Sequence, residues 1–325
     1  MPLTSHIDDP QSPIAAFLKT RFPNTRSVVS ECNKSLREDK TIKPTEPMDG
    51  HFGTLGTAID YRLRYYFAAT RYQELVAWKG AMRLIDDGIW KGILESVGGL
   101  DLPKRVVADF FQNLAITLAE LQPAGRKLSH DDEQLLNRYC IGLALFEQCF
   151  RVMPRPSSPL FSTNISSYED ILSIAPSHWI DDLCAMSEAF YDYFRDGLNK
   201  EAILNPTFDG SGFIGGADAD IILEYGHQQS CLIDFKTSVK ASIQGKMLHQ
   251  LLGYCLLDFS NQYRIERVGF YLPRQGRFIG WQLEDLVHQI GLEPHVSFAE
   301  LRSEFREVVG SLPPAFTLTQ LVAQS

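Results

Sequence analysis

At 325 residues, 44% hydrophobic and 22% charged, the chain has the composition of a soluble globular protein, long enough for about two lobes or for one core with insertions. No stretch approaches the roughly 18 consecutive apolar residues of a membrane span, and the opening MPLTSHIDDPQSP lacks a basic-then-apolar signal layout, so a cytoplasmic protein with no membrane partner is expected. The formal charge of −9 disfavours long-range attraction to nucleic acid but leaves local surfaces to be read separately, and six scattered cysteines without a CxxC pair argue against a zinc ribbon or a thiolate-held cluster.

Residues 1–12 read as a loose lead-in before a short helix at 14–21, with a second helix at 28–36 inside a polar stretch that ends in the loop KPTEP. From His51 to Met82, Leu55, Ile59, Leu63 and Tyr66 recur at helical spacing and give one apolar stripe, flanked by a stripe of Asp60, Arg64, Phe67 and Arg71. Between Tyr61 and Arg83 five Lys or Arg stand against one Glu, a local excess of +4 that is either a solvated helix face or a phosphate-facing surface.

From Ile85 to Lys200 the pattern is almost wholly helical, with segments predicted near 102–122, 131–152, 168–174 and 179–198. Ser129 before Asp132 and Ser167 before Asp170 have the layout of N-terminal caps, and MPRPSSP at 153–159 reads as a loop. Glu147 and the aromatics Phe190, Tyr191, Tyr193 and Phe194 read as ordinary core and surface. The histidines show no HxxxH or HxH spacing and no GxSxG elbow occurs, so neither a histidine-built zinc site nor serine hydrolysis is supported.

Chemistry concentrates between Gly215 and Tyr254. Alternation places Asp218, Asp220 and Ile222 on one face of a strand, and a second strand at 231–235 carries Asp234 and Lys236 two apart, again on one face. Tyr225, Gly226 and His227 interrupt the hydrophobic run as a hairpin connection would, so the two strands should pair antiparallel. A helix predicted over 242–259 sets Gln250 and Tyr254 one turn apart on an apolar face, where they either reach into a site or make a satisfied core hydrogen bond. Strands at 267–272 and 277–281 flank a turn at Pro273 to Gly276; Arg264, Arg267, Arg274 and Arg277 against Glu266 make this segment basic by +3. Ser297 and Glu300 open a final helix with a capping box, and the tail from Pro313 is peripheral.

The order of these motifs resembles the PD-(D/E)xK nuclease superfamily, in particular its RecB-like branch: GxxD followed by apolar residues (Gly215 to Ile222), an apolar-DxK strand (Leu232 to Lys236) and a QxxxY helix (Gln250 to Tyr254). The branch's GTxxH helix is matched by Gly56, Thr57, Ala58, Ile59 and Asp60, with Asp in the place of His, and its cysteine-held cluster is missing. The resemblance covers residues 53–67 and 208–281. It implies an α/β fold with a restriction-endonuclease-like central mixed sheet flanked by helices and a large all-helical insertion. The expected organisation is an N-terminal extension at 1–52, a nuclease core of 53–84 and 206–282, a helical lobe at 85–205 and a C-terminal helical segment at 283–325.

The activity it implies is Mg²⁺- or Mn²⁺-dependent hydrolysis of phosphodiester bonds in DNA, in repair or in defence against foreign DNA. Asp220 and Asp234 would be the main ligands, with Asp218 competing with Asp220 for that place, Asp60 third and the carbonyl of Phe235 completing the set. Lys236 would orient the water or stabilise phosphate charge, and Gln250 and Tyr254 would position the lysine or the substrate backbone. Arg64, Arg71, Lys240, Lys246 and Arg274 are the expected nucleic-acid contacts, and the helical lobe is left for a protein partner or a second copy. The alternative is a nuclease-fold module that binds nucleic acid or a protein partner without turnover.

Overall fold

The computed structural model describes residues 2–48, 50–86, 102–152, 158–162, 164–196, 198, 201–225 and 229–313. Residues 153–157 of the loop expected at 153–159, the hairpin residues Gly226 and His227 and the tail beyond Pro313 lie outside the described residues, and Pro159, the last residue of that expected loop, instead opens the short helix Pro159–Ser162. The chain is mixed α/β and forms two compact units, one made of Met1–Lys40, Lys200–Leu272 and Arg277–Ser325 and the other of Thr41–Asn199 with Pro273–Gly276. No helix among the described residues is long and apolar enough to cross a membrane.

The first unit is built on a five-stranded sheet of β1 (Ala202–Leu204), β2 (Ile221–Tyr225), β3 (Gln229–Phe235), β4 (Ile265–Leu272) and β5 (Arg277–Gln282), in that spatial order. Neighbouring strands run antiparallel except β3 and β4, which are parallel, so the predicted β2–β3 hairpin pairing is present. A parallel pair needs a crossover connection. Here that connection is the helix Gly245–Leu257, whose apolar residues Leu248, Leu251, Leu252 and Cys255 join Ile222, Leu232, Val268 and Phe270 of the sheet in one core.

Three N-terminal helices, Leu3–Asp8, Pro13–Arg21 and Thr25–Leu36, complete that core with Leu3, Ile7, Ile14, Leu18, Val28 and Leu36. The loose lead-in expected for residues 1–12 is thereby corrected: Leu3 and Ile7 are one turn apart and both buried. The helices Leu283–Gln289 and Phe298–Gly310 close the unit, the latter with the predicted box in which Ser297 and Glu300 satisfy each other's backbone N–H groups.

The second unit is helical: Phe52–Arg64, Val76–Asp86, Lys104–Leu121, His130–Arg151, Tyr168–Ser173 and Ser177–Phe194 are its main elements. The caps expected at Ser129 and Ser167 are formed. Leu55, Ile59 and Leu63 are buried on the helix Phe52–Arg64, as their spacing predicts, but that helix stops at Arg64 and the next begins at Val76, so the stripe read across 51–82 is broken and Tyr66, Phe67 and Arg71 lie beyond the helix end. The helix Phe52–Arg64, which the resemblance groups with the nuclease core, is part of this helical unit.

Two helices of this unit approach unusually closely at Gly80. A Cβ there would stand 1.8 Å from the carbonyl oxygen of Phe146, which is backbone and cannot swing aside. Gly80→Ala is therefore expected to destabilise by about 1–3 kcal/mol or more through overpacking, outweighing the helix-propensity gain of about 1 kcal/mol. Denaturant titration of the purified variant measures it, and unchanged stability would refute the contact.

Burial raises the phenols of Tyr61, Tyr65 and Tyr66 well above the ordinary tyrosine range, and the Glu147 carboxylate beside Tyr61 adds to the effect there. With folded values raised, the stabilisation is complete below the unfolded phenol value of about 10 and declines as pH rises above it. Phenolate absorbance in an alkaline titration should accordingly show exposed tyrosines ionising first and these three appearing only with cooperative unfolding. Early ionisation in the folded protein would contradict their burial.

Candidate active site

The predicted cluster assembles where β2 and β3 part company. The last rung of their ladder on this side pairs Ile221 with Ile233. One step further, Asp220 stands opposite Asp234, a position at which facing side chains are roughly 4.5–5.5 Å apart at Cβ. Beyond that rung the regular β2–β3 ladder ends. The side chain of Asp220 takes over, its Oδ2 accepting the Phe235 N–H at 2.6 Å. On its other side β3 remains tied to β4, with the Lys236 N–H donating to the carbonyl of Tyr271 at 2.9 Å.

Asp234 and Lys236 share a face of β3, as their spacing of two requires, and their side chains form an ion pair in which Asp234 is buried and Lys236 half-buried. The ammonium of Lys236 also donates to Gln250 Oε1 at 3.0 Å, and Gln250 Nε2 donates to the hydroxyl oxygen of Tyr254 at 2.7 Å. Both open choices for Gln250 and Tyr254 meet here: they are hydrogen-bonded to each other, and the chain they form ends on the lysine. The phenol of Tyr254 is held well above its usual range, first by burial and then by the negative charges of Asp234, Asp220 and Asp218. It is therefore a neutral hydrogen-bonding group at neutral pH.

Asp218 belongs to the same neighbourhood, although regular strand geometry starts only at Ile221. Asn205, at a left-handed φ of 48°, kinks the chain after β1, and pairing resumes as an isolated bridge between Thr207 and Asp218. The alternation survives this kink: Ala217 and Ala219 are buried while Asp218 and Asp220 are half-exposed. The Phe235 contact distinguishes the two acids, since it is Asp220 that caps the end of β3.

Asp60 lies in the helical unit, one turn from Arg64 and ion-paired with it. That pairing also corrects the expectation that Arg64 faces phosphate: it is buried, with its guanidinium turned onto Asp60 and over the ring of Tyr61. Arg274 is corrected in the same way. It has no exposed surface, and its Nη1 and Nη2 donate to the two oxygens of Asp182 at 2.8 and 2.6 Å. Arg71, Lys240 and Lys246 are exposed, Lys246 pairing with Asp8 at the surface.

The local charge excess at 61–83 is thus divided: Arg62 and Arg64 are buried, while Arg71 and Lys79 are exposed and Arg83 is half-exposed. Arg62 makes a two-pronged, buried contact with Glu133 at 2.7 Å, and Lys79 and Arg83 lie over the ring of Phe150. Sequence reading also passed over Phe208, whose ring stacks on Tyr254 at 5.7 Å between centroids, a contact that no local pattern announces.

The donors at this corner are all oxygen: the carboxylates of Asp220 and Asp234 and the main-chain carbonyl of Phe235. This set suits a hard cation, and Lys236 supplies a single positive charge against the acids. Among the described residues no group of three or more His, Cys, Asp or Glu is gathered for a metal. Two carboxylates nonetheless match the way Mg²⁺ is commonly held, through one or two acids with several waters retained. No family model, curated protein or solved structure matches the chain.

Proposed function

We propose that this chain is a metal-dependent nuclease of the PD-(D/E)xK kind, hydrolysing phosphodiester bonds in DNA. The observation that carries the proposal is the convergence of Asp220, Asp234, Lys236, Gln250 and Tyr254 in one connected polar cluster at the end of the β2–β3 ladder. A divalent cation, when bound, supplies Lewis-acid stabilisation of phosphate charge and makes water more acidic at neutral pH. Asp220 and Asp234 would hold it, with the Phe235 carbonyl.

The chain's own groups divide the remaining work. Lys236 offers a hydrogen-bonding positive charge to a non-bridging phosphate oxygen or to the attacking water. Gln250 fixes the lysine through its carbonyl oxygen. Tyr254, kept neutral, accepts from the Gln250 amide and so sets which end of that amide faces Lys236. Asp220 anchors the end of β3 while presenting a carboxylate beside Asp234.

A binding-only module is the second reading, favoured by the engagement of Asp60 with Arg64 and by the ion pair that already neutralises Asp234. Incubation of the purified protein with linear, circular and single-stranded DNA and with RNA, in Mg²⁺, Mn²⁺ or EDTA, separates the two. Cleavage of DNA that requires the metal supports the nuclease. Salt-sensitive binding in Ca²⁺ with no cleavage of any substrate in Mg²⁺ or Mn²⁺ would establish the module instead.

A further inference from the structure

Beyond the acidic cluster, the sheet-bearing unit has a cleft of about 430 Å³ lined by Asp209, Phe213, Phe259, Ser260, Arg306 and Val309 among others. Its volume lies in the range of roughly 300–1,000 Å³ typical of small-ligand clefts. Phe213 is 58% exposed, the highest value among the large apolar side chains of the described residues. An isolated exposed phenylalanine is ordinary. This one shares a concave surface with a second aromatic ring, a guanidinium and an oriented carboxylate.

Arg306 lies over the ring of Phe259 at 5.6 Å from its centroid, and both side chains remain accessible from the cleft. Asp209 is held in place because its Oδ2 accepts the N–H of Ser260 at 2.7 Å. A flat aromatic ligand with polar edges and an attached anion matches this combination: phenylalanine rings for the plane, a carboxylate for amino hydrogens and a guanidinium for phosphate. A purely apolar peptide face would leave Asp209 and Arg306 without a role.

The cleft is joined to the acidic cluster by short, rigid links. Phe208, next to Asp209, stacks on Tyr254; the Gly210 N–H donates to the carbonyl of Leu257 at 3.0 Å, and Phe259 follows the helix that carries Gln250 and Tyr254. A Cβ on Gly210 would stand 2.4 Å from the Leu257 side chain and 2.8 Å from the ring of Phe259, so this segment is packed tightly against the helix end.

We propose that this cleft is a nucleotide subsite that takes one unstacked base of a single strand, the base lying against Phe213 and Phe259, its amino edge at Asp209 and its phosphate at Arg306. The inference rests on the reading of the neighbouring cluster as acting on nucleic acid. It deepens that reading by making single-stranded substrate, or a frayed end, the form that is gripped.

The test is fluorescence-anisotropy binding of labelled single-stranded DNA 12-mers in Ca²⁺, each carrying one abasic position, to the full chain and to Phe213→Ala and Arg306→Gln. The intact protein should lose roughly ten-fold in affinity at one abasic position, in keeping with base stacking worth about 5- to 150-fold. Phe213→Ala should bind the unmodified oligonucleotide as weakly as that and show no further loss at the position. Exposure of Phe213 makes misfolding of this variant easy to exclude by its melting curve.

Tight binding with no sensitive position, or sensitivity that survives in Phe213→Ala, overturns the subsite and leaves the nuclease proposal standing. No binding to any oligonucleotide overturns both. If Phe213→Ala instead abolishes self-association in light scattering and leaves DNA affinity unchanged, the cleft is a protein contact and the subsite is overturned.

Discussion

Replacing Lys236 with methionine should abolish DNA cleavage, with a loss of at least about 10²–10³-fold if the ammonium stabilises developing charge. Methionine keeps an unbranched stem at a half-buried position but takes from the buried Asp234 its ion-pair partner, so the melting curve of the variant separates lost chemistry from lost stability. Asp234→Asn should be equally inactive, because it removes a charge from the buried partner of Lys236 while keeping its shape. Tyr254→Phe is the internal contrast. It deletes a hydroxyl that reaches the lysine only through Gln250, and should cost far less activity than either. Rates on a DNA substrate in Mg²⁺, alongside melting curves of all variants, decide the matter. A folded Asp234→Asn protein that cleaves at the parental rate would remove the assignment altogether.

Arg274→Met is the second large effect, and it should appear in stability alone. Arg274 and Asp182 have side-chain exposures of 0% and 1% and meet through two parallel hydrogen bonds. Removing one member of such a pair leaves a buried charge and typically costs about 3–5 kcal/mol. At about 2–4 °C per kcal/mol for units of this size, the melting temperature should fall by about 10 °C. Removing both members in Arg274→Met/Asp182→Leu should recover a large part of the loss, since an apolar pair of similar volume needs no charge compensation. DNA affinity measured well below the melting temperature should stay unchanged. A selective loss of DNA binding with full stability would instead return Arg274 to the nucleic-acid surface.

Arg274 also indicates what the sequence could and could not convey. Its basic neighbourhood was legible as a charge count, but a count carries no direction. Asp182 is 92 residues away, and only the fold determines that the guanidinium points inward. Arg62 was hidden in the same way by Glu133, 71 residues on. Asp60 with Arg64 is the contrasting case: an i, i+4 pair of opposite charge on one helix was readable locally and favours the pairing seen.

The Asp234–Lys236 strand and the Gln250–Tyr254 helix were legible because their chemistry sits on periods of two and about four, which backbone geometry turns directly into shared faces. The short strand Ala202–Leu204 and the helix Leu283–Gln289 were not, since three and seven residues give too little periodicity to separate from a loop. The helix Leu3–Asp8 was obscured by prolines on both sides, although Leu3 and Ile7 already carried its buried face.

The four residues Pro273–Gly276 between β4 and β5 have a consequence for dissection of the molecule. They belong to the helical unit, where the backbone of Arg274 accepts from the Ile42 N–H at 2.7 Å and its side chain holds Asp182, while both strands they connect belong to the sheet. Deleting residues 41–199 would therefore not release a tidy sheet domain. It would expose a hairpin tip whose arginine has lost its acid, and expression of 41–199 alone would leave Asp182 without its base. Gene fragments cut at the obvious boundaries should thus yield two insoluble halves, and solubility would return only on co-expression.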